Sequence, residues 1–286
     1  MKEKNKMSFR ILADSASDIE AEEAKTLGIE MIPMEITFGT EVFEDGVTLS
    51  HDRFFEKLIE TDEMPKTSCI SEYRFEEKFR EMTASGEEVI CIVLSSGLSS
   101  TFNCAEKAAA KVPGVYVVDS QTASLGERIL TEYAIRLASD GVSAKEAFGK
   151  LEEKKKKIRL IALMETLKYL KKGGRISPLV AISGELLNIK PVISLQGTVK
   201  MLGKAIGSKK GNNLLNECIR KAGGVDFSMP FTTAYSGQSS AILDKYIADS
   251  SAIWKEHAEE IPKHQIGSTI GTHIGPGAIG VAFFTV

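Results

Sequence analysis

The first half of the chain alternates short apolar runs with amphipathic segments. The apolar runs predict strands at residues 9–13, 29–38, 89–94 and 115–118. Pro33 indicates an edge or an irregularity within the second of these strands. The amphipathic segments, some opened by Ser-x-x-Glu capping boxes, predict helices at about residues 17–26, 51–60, 72–84, 101–112, 124–140 and 143–157. This alternation of strand and helix is typical of an α/β fold.

The pattern changes after Lys157, and we place a domain boundary there. Residues 1–157 then form an N-terminal α/β domain, and residues 158–286 form a C-terminal α/β domain. A turn at Gln196-Gly197 joins two predicted strands into a hairpin. The predicted elements of this domain are strands at 158–163, 191–195, 198–202, 231–235, 265–270 and 278–285, and helices at about 179–187, 212–222 and 239–249.

Three predicted strands end in turns that are rich in hydroxyl groups. The turns comprise residues 95–101, 14–17 and 119–122. Helix N-terminal amides together with Ser or Thr hydroxyls can hold a carboxylate or phosphate without any Lys or Arg. One such cluster alone is more typical of helix caps. Since ligands of open parallel sheets bind at the carboxyl ends of strands, the recurrence favours one shared crevice that binds an anion.

Composition and charge narrow the function classes. The 286 residues are 43% hydrophobic with a net charge of −3, so no electrostatic basis for nucleic-acid binding exists. The four cysteines lack Cys-x-x-Cys spacing, which is typical of reduced thiols in a cytoplasmic protein. The charged N-terminus does not resemble a signal peptide, and no apolar run is long enough to span a membrane as a helix. We therefore expect no transmembrane segment and at most a transient contact with a membrane surface.

The sequence lacks several familiar catalytic and cofactor motifs. Gly197 and Gly203-Lys204 have the wrong spacing for a phosphate-binding loop, and Ala205 replaces its hydroxyl residue. There is no Gly-x-Ser-x-Gly nucleophile elbow and no His-Glu-x-x-His motif, so we expect no cofactor and no metal. His273 lies in a Gly-rich turn between two predicted strands, where it is either structural or a partner of the bound anion.

Seven segments, taken in order, resemble the DegV family of bacterial fatty-acid-binding proteins. They cover residues 11–18, 66–68, 94–101, 117–120, 170–177, 187–191 and 271–277. The resemblance implies a two-domain α/β fold, with a mainly parallel N-terminal sheet flanked by helices and a mixed C-terminal sheet. It implies a lipid carrier rather than an enzyme, with a long-chain fatty acid such as palmitate, stearate or oleate enclosed between the domains. The implied partner is a fatty acid kinase, to which the carrier presents the carboxylate for phosphorylation.

The resemblance also implies roles for individual residues at matching positions. Thr67 and Ser99 correspond to the residues that bind the carboxylate, and His273 corresponds to the histidine that assists them. Gly173, Gly174 and Arg175 correspond to a supporting loop. For the wall around the acyl chain, the apolar pattern suggests three residues that fit ordinary core positions as well, namely Ile182, Leu186 and Phe283.

The chain departs from the family pattern at three positions. Cys69 stands where the family commonly has Gln and Ser100 where it commonly has Gly, and neither change removes a binding hydroxyl. Ile206 stands where the family usually has an Arg on a surface associated with the kinase. Isoleucine cannot form an ionic contact, so we expect docking to be lost or to shift to nearby lysines, which are Lys204, Lys209 and Lys210.

Two other function classes stay open at the level of sequence. Ser99 or Ser96, with His273 as the base, would make a serine acyl hydrolase if the hydroxyl and the imidazole lie close together. The family fold also looks related to a domain of dihydroxyacetone kinases, which implies a sugar-binding protein as the second alternative.

Overall fold

The computed structural model describes residues 7–61, 63–176, 188–254 and 261–286. The strands in these ranges, numbered in chain order, are β1 Arg10–Asp14, β2 Glu30–Ile32, β3 Glu35–Phe38, β4 Glu41–Glu44, β5 Lys66–Ser68, β6 Val89–Val93, β7 Val115–Asp119, β8 Ile158–Leu163, β9 Ile189–Gln196, β10 Thr198–Ile206, β11 Phe231–Tyr235, β12 Lys263–Gln265 and β13 Ile279–Phe284. They form three sheets.

The α-helices cover the faces of these sheets. In the described ranges they are Ala21–Leu27, His51–Glu60, Glu72–Thr83, Thr101–Ala109, Leu125–Ser139, Ala144–Lys154, Lys168–Lys172, Ser208–Lys221, Ala241–Asp249, Ser251–Trp254 and Ser268–Ile274. None of these helices combines the length and the apolar character that crossing a membrane requires.

The N-terminal part of the chain, up to residue 157, contains a four-stranded parallel sheet in the order β2-β1-β6-β7. Strand order reverses between β1 and β6, because the chain adds β2 on one side of β1 and later adds β6 on the other. The carboxyl ends of β1, β6 and β7 therefore meet at one edge, as the sequence predicts. Asp14 joins two of them by accepting a hydrogen bond from the Leu94 amide at 2.9 Å.

The segment predicted as one strand at residues 29–38 forms two strands in different sheets. β2 completes the parallel sheet, whereas β3 pairs with β4 and β5 in a small antiparallel sheet. Pro33 lies at the break, where a residue without an N–H cannot continue a hydrogen-bonded ladder. The small sheet positions a candidate site residue, because β5 carries Thr67, which pairs with Ile36 of β3.

The C-terminal part contains a six-stranded mixed sheet in the order β10-β9-β8-β13-β11-β12. Adjacent strands in this sheet are antiparallel, except that β11 and β12 are parallel. β8 begins at Ile158, directly after the predicted boundary. One large cluster of buried apolar residues nevertheless runs from Phe9 to Phe284 and draws on both parts, so the division into two domains stays a prediction.

The turn between β9 and β10, residues 196–198, reaches across to the strand ends of the parallel sheet, and we call it the hairpin tip. Ser95 Oγ donates to the Gly197 carbonyl at 2.7 Å, and the Gly197 amide donates to the Gln121 carbonyl. A β-carbon on Gly97 would lie 2.5 Å from the Gly197 oxygen. The two parts of the chain therefore contact each other here through backbone atoms and the Ser95 hydroxyl, and glycine at position 97 permits the close approach.

The predicted strand at residues 265–270 is wrong, because β12 ends at Gln265 and the next element is the helix Ser268–Ile274, which we call the His273 helix. Buried carboxylates of the N-terminal part cap its first turn. Asp45 accepts from the Ser268 and Thr269 amides at 3.0 and 3.1 Å, and Asp18 accepts from the Gly267 amide at 2.8 Å. These caps come from distant parts of the chain, so the local pattern carries no sign of them.

Acidic side chains are buried beneath the same edge of the parallel sheet. Burial raises the pKa of Asp14 to about 7 and that of Asp18 to about 6, and it raises the pKa of Glu127 well above its usual range. The Glu127 carboxyl contacts Asp14. Burial and the neighbouring carboxyl both disfavour the charged form, so Glu127 keeps its proton to a higher pH than a solvent-exposed glutamic acid does.

We expect the free energy of unfolding to fall by about 2 kcal/mol between about pH 6.5 and about pH 8. Over this range the folded protein partly holds protons on Asp14 and Glu132, whose pKa values burial raises to about 7, and on Glu127, whose pKa burial also raises; the unfolded chain has already released these protons, and the folded protein loses them as the pH passes the raised pKa values. Burial lowers the pKa of His264 and His273 to about 4, which acts in the opposite direction but only below the usual histidine pKa of 6.5. Urea unfolding followed by circular dichroism measures the trend.

The matched variant for this trend is Glu127→Gln. Glutamine keeps the shape of the side chain but does not titrate, so the loss of stability on raising the pH should become smaller. The same pH dependence in the variant and the parent protein would show that Glu127 does not hold the extra proton.

Candidate functional site

Thr67 and His273 meet where the small sheet faces the His273 helix. Thr67 Oγ1 and His273 Nε2 lie 3.0 Å apart, although the residues are 206 positions apart in sequence. Burial, with a further contribution from the positive charge of Arg175, lowers the pKa of His273 to about 4. The imidazole is therefore neutral at physiological pH, and it can either donate to the threonine or accept from it.

The surroundings of the second ring nitrogen indicate which hydrogen bond forms. Within the described part of the chain, His273 Nδ1 is buried and has no hydrogen-bond partner. A buried donor without a partner is rarer than an under-satisfied acceptor, so we assign the proton to Nε2. His273 then donates to Thr67 Oγ1, and the hydroxyl hydrogen of Thr67 is free to point into the site.

Gly173 allows the histidine to occupy this position. A β-carbon at Gly173 would lie 2.4 Å from His273 Nδ1, whereas a β-carbon at Gly174 would meet nothing within 4 Å. The predicted supporting loop therefore acts at Gly173 by making room for the imidazole. Gly174 contributes a backbone φ of +70°, a conformation that suits glycine.

Ser99 lies in the same site, at the start of the helix Thr101–Ala109. Its Oγ accepts from the Thr101 amide at 3.2 Å and lies 2.9 Å from Thr101 Oγ1. Most other hydroxyls of the strand ends hold the fold together, since Ser95 binds the hairpin tip and Ser96 donates to Asp119 at 2.6 Å. The Ser99 hydroxyl thus lies at the site, whereas the hydroxyls of Ser95 and Ser96 form hydrogen bonds that hold the loops together.

Arg175 also faces the site, although the sequence suggests an anion site built from neutral donors. It lines the cavity described below, and its guanidinium donates to the Leu98 carbonyl at 3.2 Å and to the Gly173 carbonyl at 2.7 Å. The side chain is exposed, so its charge is partly screened by water. The candidate site therefore includes one cation beside its neutral donors.

A cavity of about 250 Å³ extends from these residues into the space between the two parts of the chain. Thr67, Cys69, Ser99, Ser100, Arg175 and His273 all line it. The rest of the wall is mainly aliphatic and includes Met34, Leu98, Leu125, Leu160, Ile193 and Ile279. A polar cluster that opens into an aliphatic cavity fits an amphipathic ligand with one polar end.

Of the predicted wall residues, Ile182 and Leu186 lie outside the described residues. Phe283 does not line the cavity, and its side chain packs in a separate buried cluster that contains Trp254 and Tyr246. The reason is its place along β13, since the cavity reaches the start of this strand at Ile279 and Gly280, whereas Phe283 lies four residues beyond Ile279 and packs away from the cavity.

The geometry gives little support to the two alternative functions. Among the hydrogen bonds of the described residues, His273 pairs with Thr67 and with neither Ser96 nor Ser99, and no carboxylate orients its Nδ1. A hydrolase triad needs a hydrogen bond between the serine and the histidine and a second one between the histidine and a carboxylate. A sugar would need many polar partners, whereas the wall is mainly aliphatic. In the ranges that the structure describes, no cluster of His, Cys, Asp or Glu is suited to a metal ion.

The wall includes residues that the sequence does not assign to the site, among them Thr269 and Cys69. Thr269 lines the cavity one helical turn before His273, which becomes visible only when residues 268–274 are known to be helical. Cys69 appears in the sequence only as a departure from the family pattern, yet it is exposed and lines the cavity at its polar end.

Comparisons with known proteins agree with this architecture. A family model described as "uncharacterised protein, DegV family" matches residues 8–286. A DegV domain-containing protein of Caldanaerobacter subterraneus is 32% identical over 278 residues, which are 96% of this chain and 97% of that protein.

Solved structures give the same result. A DegV family protein from Thermus thermophilus, described by its fatty acid binding, is 28% identical with a TM-score of 0.86 and covers 98% of this chain and 100% of its own. DegV from Bacillus subtilis, described as a fatty acid binding protein, is 28% identical with a TM-score of 0.83 at the same coverage. The mixed α/β fold expected from the sequence is confirmed, and the chain belongs to the DegV family.

Proposed function

We propose that this protein binds one long-chain fatty acid between its two parts, with the carboxylate at Thr67, Ser99 and His273. The observation that carries the proposal is the cavity itself, in which a cluster of hydrogen-bond donors opens into an aliphatic space. The fatty acid binding described for the Thermus thermophilus and Bacillus subtilis relatives supports the same ligand class.

The acyl chain supplies most of the binding free energy in this proposal. Transfer of about 14 methylene groups from water into the cavity contributes about 11 kcal/mol before the costs of ordering the ligand. A hydrogen bond to a charged carboxylate contributes about 1.5 to 3 kcal/mol. The tail therefore determines the strength of binding, and the polar cluster determines the direction in which the ligand lies.

The carboxylate would be held by hydroxyl groups whose hydrogens are free. Thr67 Oγ1 accepts from His273 and so can donate to the ligand, and Ser99 can donate when Thr101 Oγ1 donates to it. Arg175 adds a positive charge at the exposed side of the cluster. Hydroxyl donors leave lone pairs of the carboxylate unoccupied, and an unoccupied oxygen is what a phosphoryl acceptor requires.

We further propose that the bound carboxylate is presented to a fatty acid kinase in the cytoplasm. β10 is an edge strand of the mixed sheet, and its exposed positions include Lys204 and Ile206, the latter 66% exposed. Lys209 and Lys210 follow on the same exposed stretch. Docking of the kinase would use these lysines, since Ile206 offers an apolar contact but no charge.

Native mass spectrometry tests the ligand class directly. Protein purified from a bacterial host, or incubated with palmitate, should carry the added mass of one fatty acid per chain. A chain that stays bare after exposure to palmitate, stearate and oleate would contradict the proposal.

Thiol labelling tests where the carboxylate lies. Cys69 is exposed and lines the cavity two residues after Thr67, so palmitate should slow its alkylation by iodoacetamide several-fold. Cys218, in the helix Ser208–Lys221, does not line the cavity and should react at the same rate with and without palmitate. Equal protection of both thiols, or of neither at saturating palmitate, would place the ligand elsewhere.

A further inference from the structure

Two of the cysteines meet beside the polar end of the cavity. The thiol of Cys104 lies next to the thiol of Cys69 and to the backbone amide of Glu72. Both cysteines are free, and Cys69 also lines the cavity. Two free thiols in contact can be joined by oxidation, since a disulfide needs only a short approach of the sulfurs to about 2.0 Å.

Ordered neighbours hold both thiols in place. Cys69 directly follows β5 and precedes Ile70, which is 1% exposed and belongs to the large buried cluster. Cys104 lies in the helix Thr101–Ala109, and this helix packs against the helix Glu72–Thr83 that follows Cys69. The contact between the thiols therefore belongs to the packed fold.

The two thiols differ in how easily a reagent reaches them. Cys69 is exposed, whereas Cys104 is half-buried. Burial raises the pKa of the Cys104 thiol, and the positive charge of Lys107 acts in the opposite direction. Because the thiolate is the nucleophile and must reach the reagent, Cys69 is the thiol that reacts first. Cys104 is placed to react with the product that forms on Cys69.

We propose that Cys69 and Cys104 are a modification site, at which a small-molecule disulfide oxidises them to a reversible intramolecular disulfide. The Cys69 thiolate attacks one sulfur of the small disulfide, which releases one small thiolate and leaves a mixed disulfide on Cys69. The Cys104 thiolate then attacks the Cys69 sulfur and releases the second small thiolate. The protein loses two electrons and two protons, which the small disulfide takes up as two thiols.

The bond ties together two elements of the candidate site. One is β5, which carries Thr67, and the other is the helix that begins two residues after Ser99. Both residues line the cavity, so the link spans its polar end. This inference goes beyond the proposed function and does not rest on it, because the reaction requires no ligand.

Mass spectrometry of the oxidised protein tests the inference. The starting protein is Cys218→Ser, which removes the half-buried thiol of the helix Ser208–Lys221, and the remaining cysteine, Cys91, is fully buried. After incubation with oxidised glutathione, the folded chain should lose the mass of two hydrogen atoms and retain no glutathione. The tryptic peptides that contain Cys69 and Cys104 should be joined, and dithiothreitol should separate them.

Stability gives a second readout. The disulfide closes a loop of about 35 residues and so restricts the unfolded chain, which should raise the midpoint of urea unfolding by about 1 M. Dithiothreitol should return the midpoint to that of the reduced protein. An unchanged midpoint in fully oxidised protein would show that the bond strains the fold, and it would overturn the inference that the thiols are already placed for it.

Two variants test the order of the steps in the Cys218→Ser protein. Cys104→Ser removes the second thiol, so this variant should retain one glutathione on Cys69. Cys69→Ser leaves only the half-buried thiol, so it should take up glutathione several-fold more slowly than Cys104→Ser does. Circular dichroism spectra that match the parent spectrum establish that both variants are folded.

Three results would overturn the inference. The first is a stable glutathione adduct on Cys69 while Cys104 is present, because the second thiol then does not reach the mixed disulfide. The second is a disulfide that forms only in urea, and the third is one that forms only between two chains.

Discussion

The double substitution Thr67→Val and Ser99→Ala should lower the affinity for palmitate by at least about 100-fold. Each hydroxyl is expected to donate one charge-assisted hydrogen bond to the carboxylate, and the substitutions remove both donors with little change of volume. The protein should still fold, because Thr67 lies on an antiparallel strand that suits valine. Titration calorimetry measures the affinity, and formation of acyl phosphate with a fatty acid kinase and ATP should be lost in parallel.

Ser96→Ala is the matched control for this prediction. Ser96 is three residues from Ser99, but its hydroxyl donates to Asp119 and does not line the cavity. Its removal should leave palmitate affinity within about twofold of the parent value. If the double variant bound palmitate as tightly as Ser96→Ala does, the carboxylate would not lie at Thr67 and Ser99.

Asp45→Ala should lower the free energy of unfolding by about 3 to 5 kcal/mol. Asp45 is fully buried and accepts from the Ser268 amide, the Ser268 hydroxyl and the Thr269 amide. Alanine leaves all of these donors buried without a partner at the start of the His273 helix. Because this helix carries His273, we also expect weaker palmitate binding even under conditions where the variant is folded. Urea unfolding and calorimetry give the two values.

Asp45→Asn and Asp52→Ala are the control variants for this prediction. Asparagine retains one acceptor oxygen, so its effect should be intermediate. Asp52 also accepts a hydrogen bond from the C-terminal part, from Gln265 at 2.8 Å, but this contact is exposed and its loss should change stability by less than about 1 kcal/mol. Equal effects of Asp45→Ala and Asp52→Ala would remove the basis for treating Asp45 as the anchor of the helix.

Much of the fold is predictable from local pattern, because the pattern and the structure follow the same physics. The apolar face of residues 51–60 and the Ser50 hydroxyl before it determine a helix whose bounds the structure reproduces. Ser143 caps its helix as expected, with its hydroxyl accepting from the Glu146 amide. The capping box at Ser124 does not form, because a buried carboxylate competes for the same hydroxyl, which donates to Asp18.

The candidate site is only partly predictable. The recurrence of hydroxyls at strand ends and the family resemblance lead to Thr67, Ser99 and His273, which the structure places around one cavity. Local sequence pattern does not identify the residues of the cavity wall, since Phe283 and the residues that do line the cavity have the same apolar character. Only the folded sheet separates them, because the cavity reaches Ile279 and Gly280 at the start of β13 but not Phe283 near its end.

The hairpin tip has a consequence for how this architecture diversifies. Its contacts with the N-terminal part use backbone atoms of Gly197, one hydroxyl at Ser95 and one carbonyl at Gln121. The outward positions of β10, which include Lys200, Leu202 and Lys204, take no part in those contacts. Mutations can therefore alter the exposed face of the hairpin without weakening the junction beside the cavity.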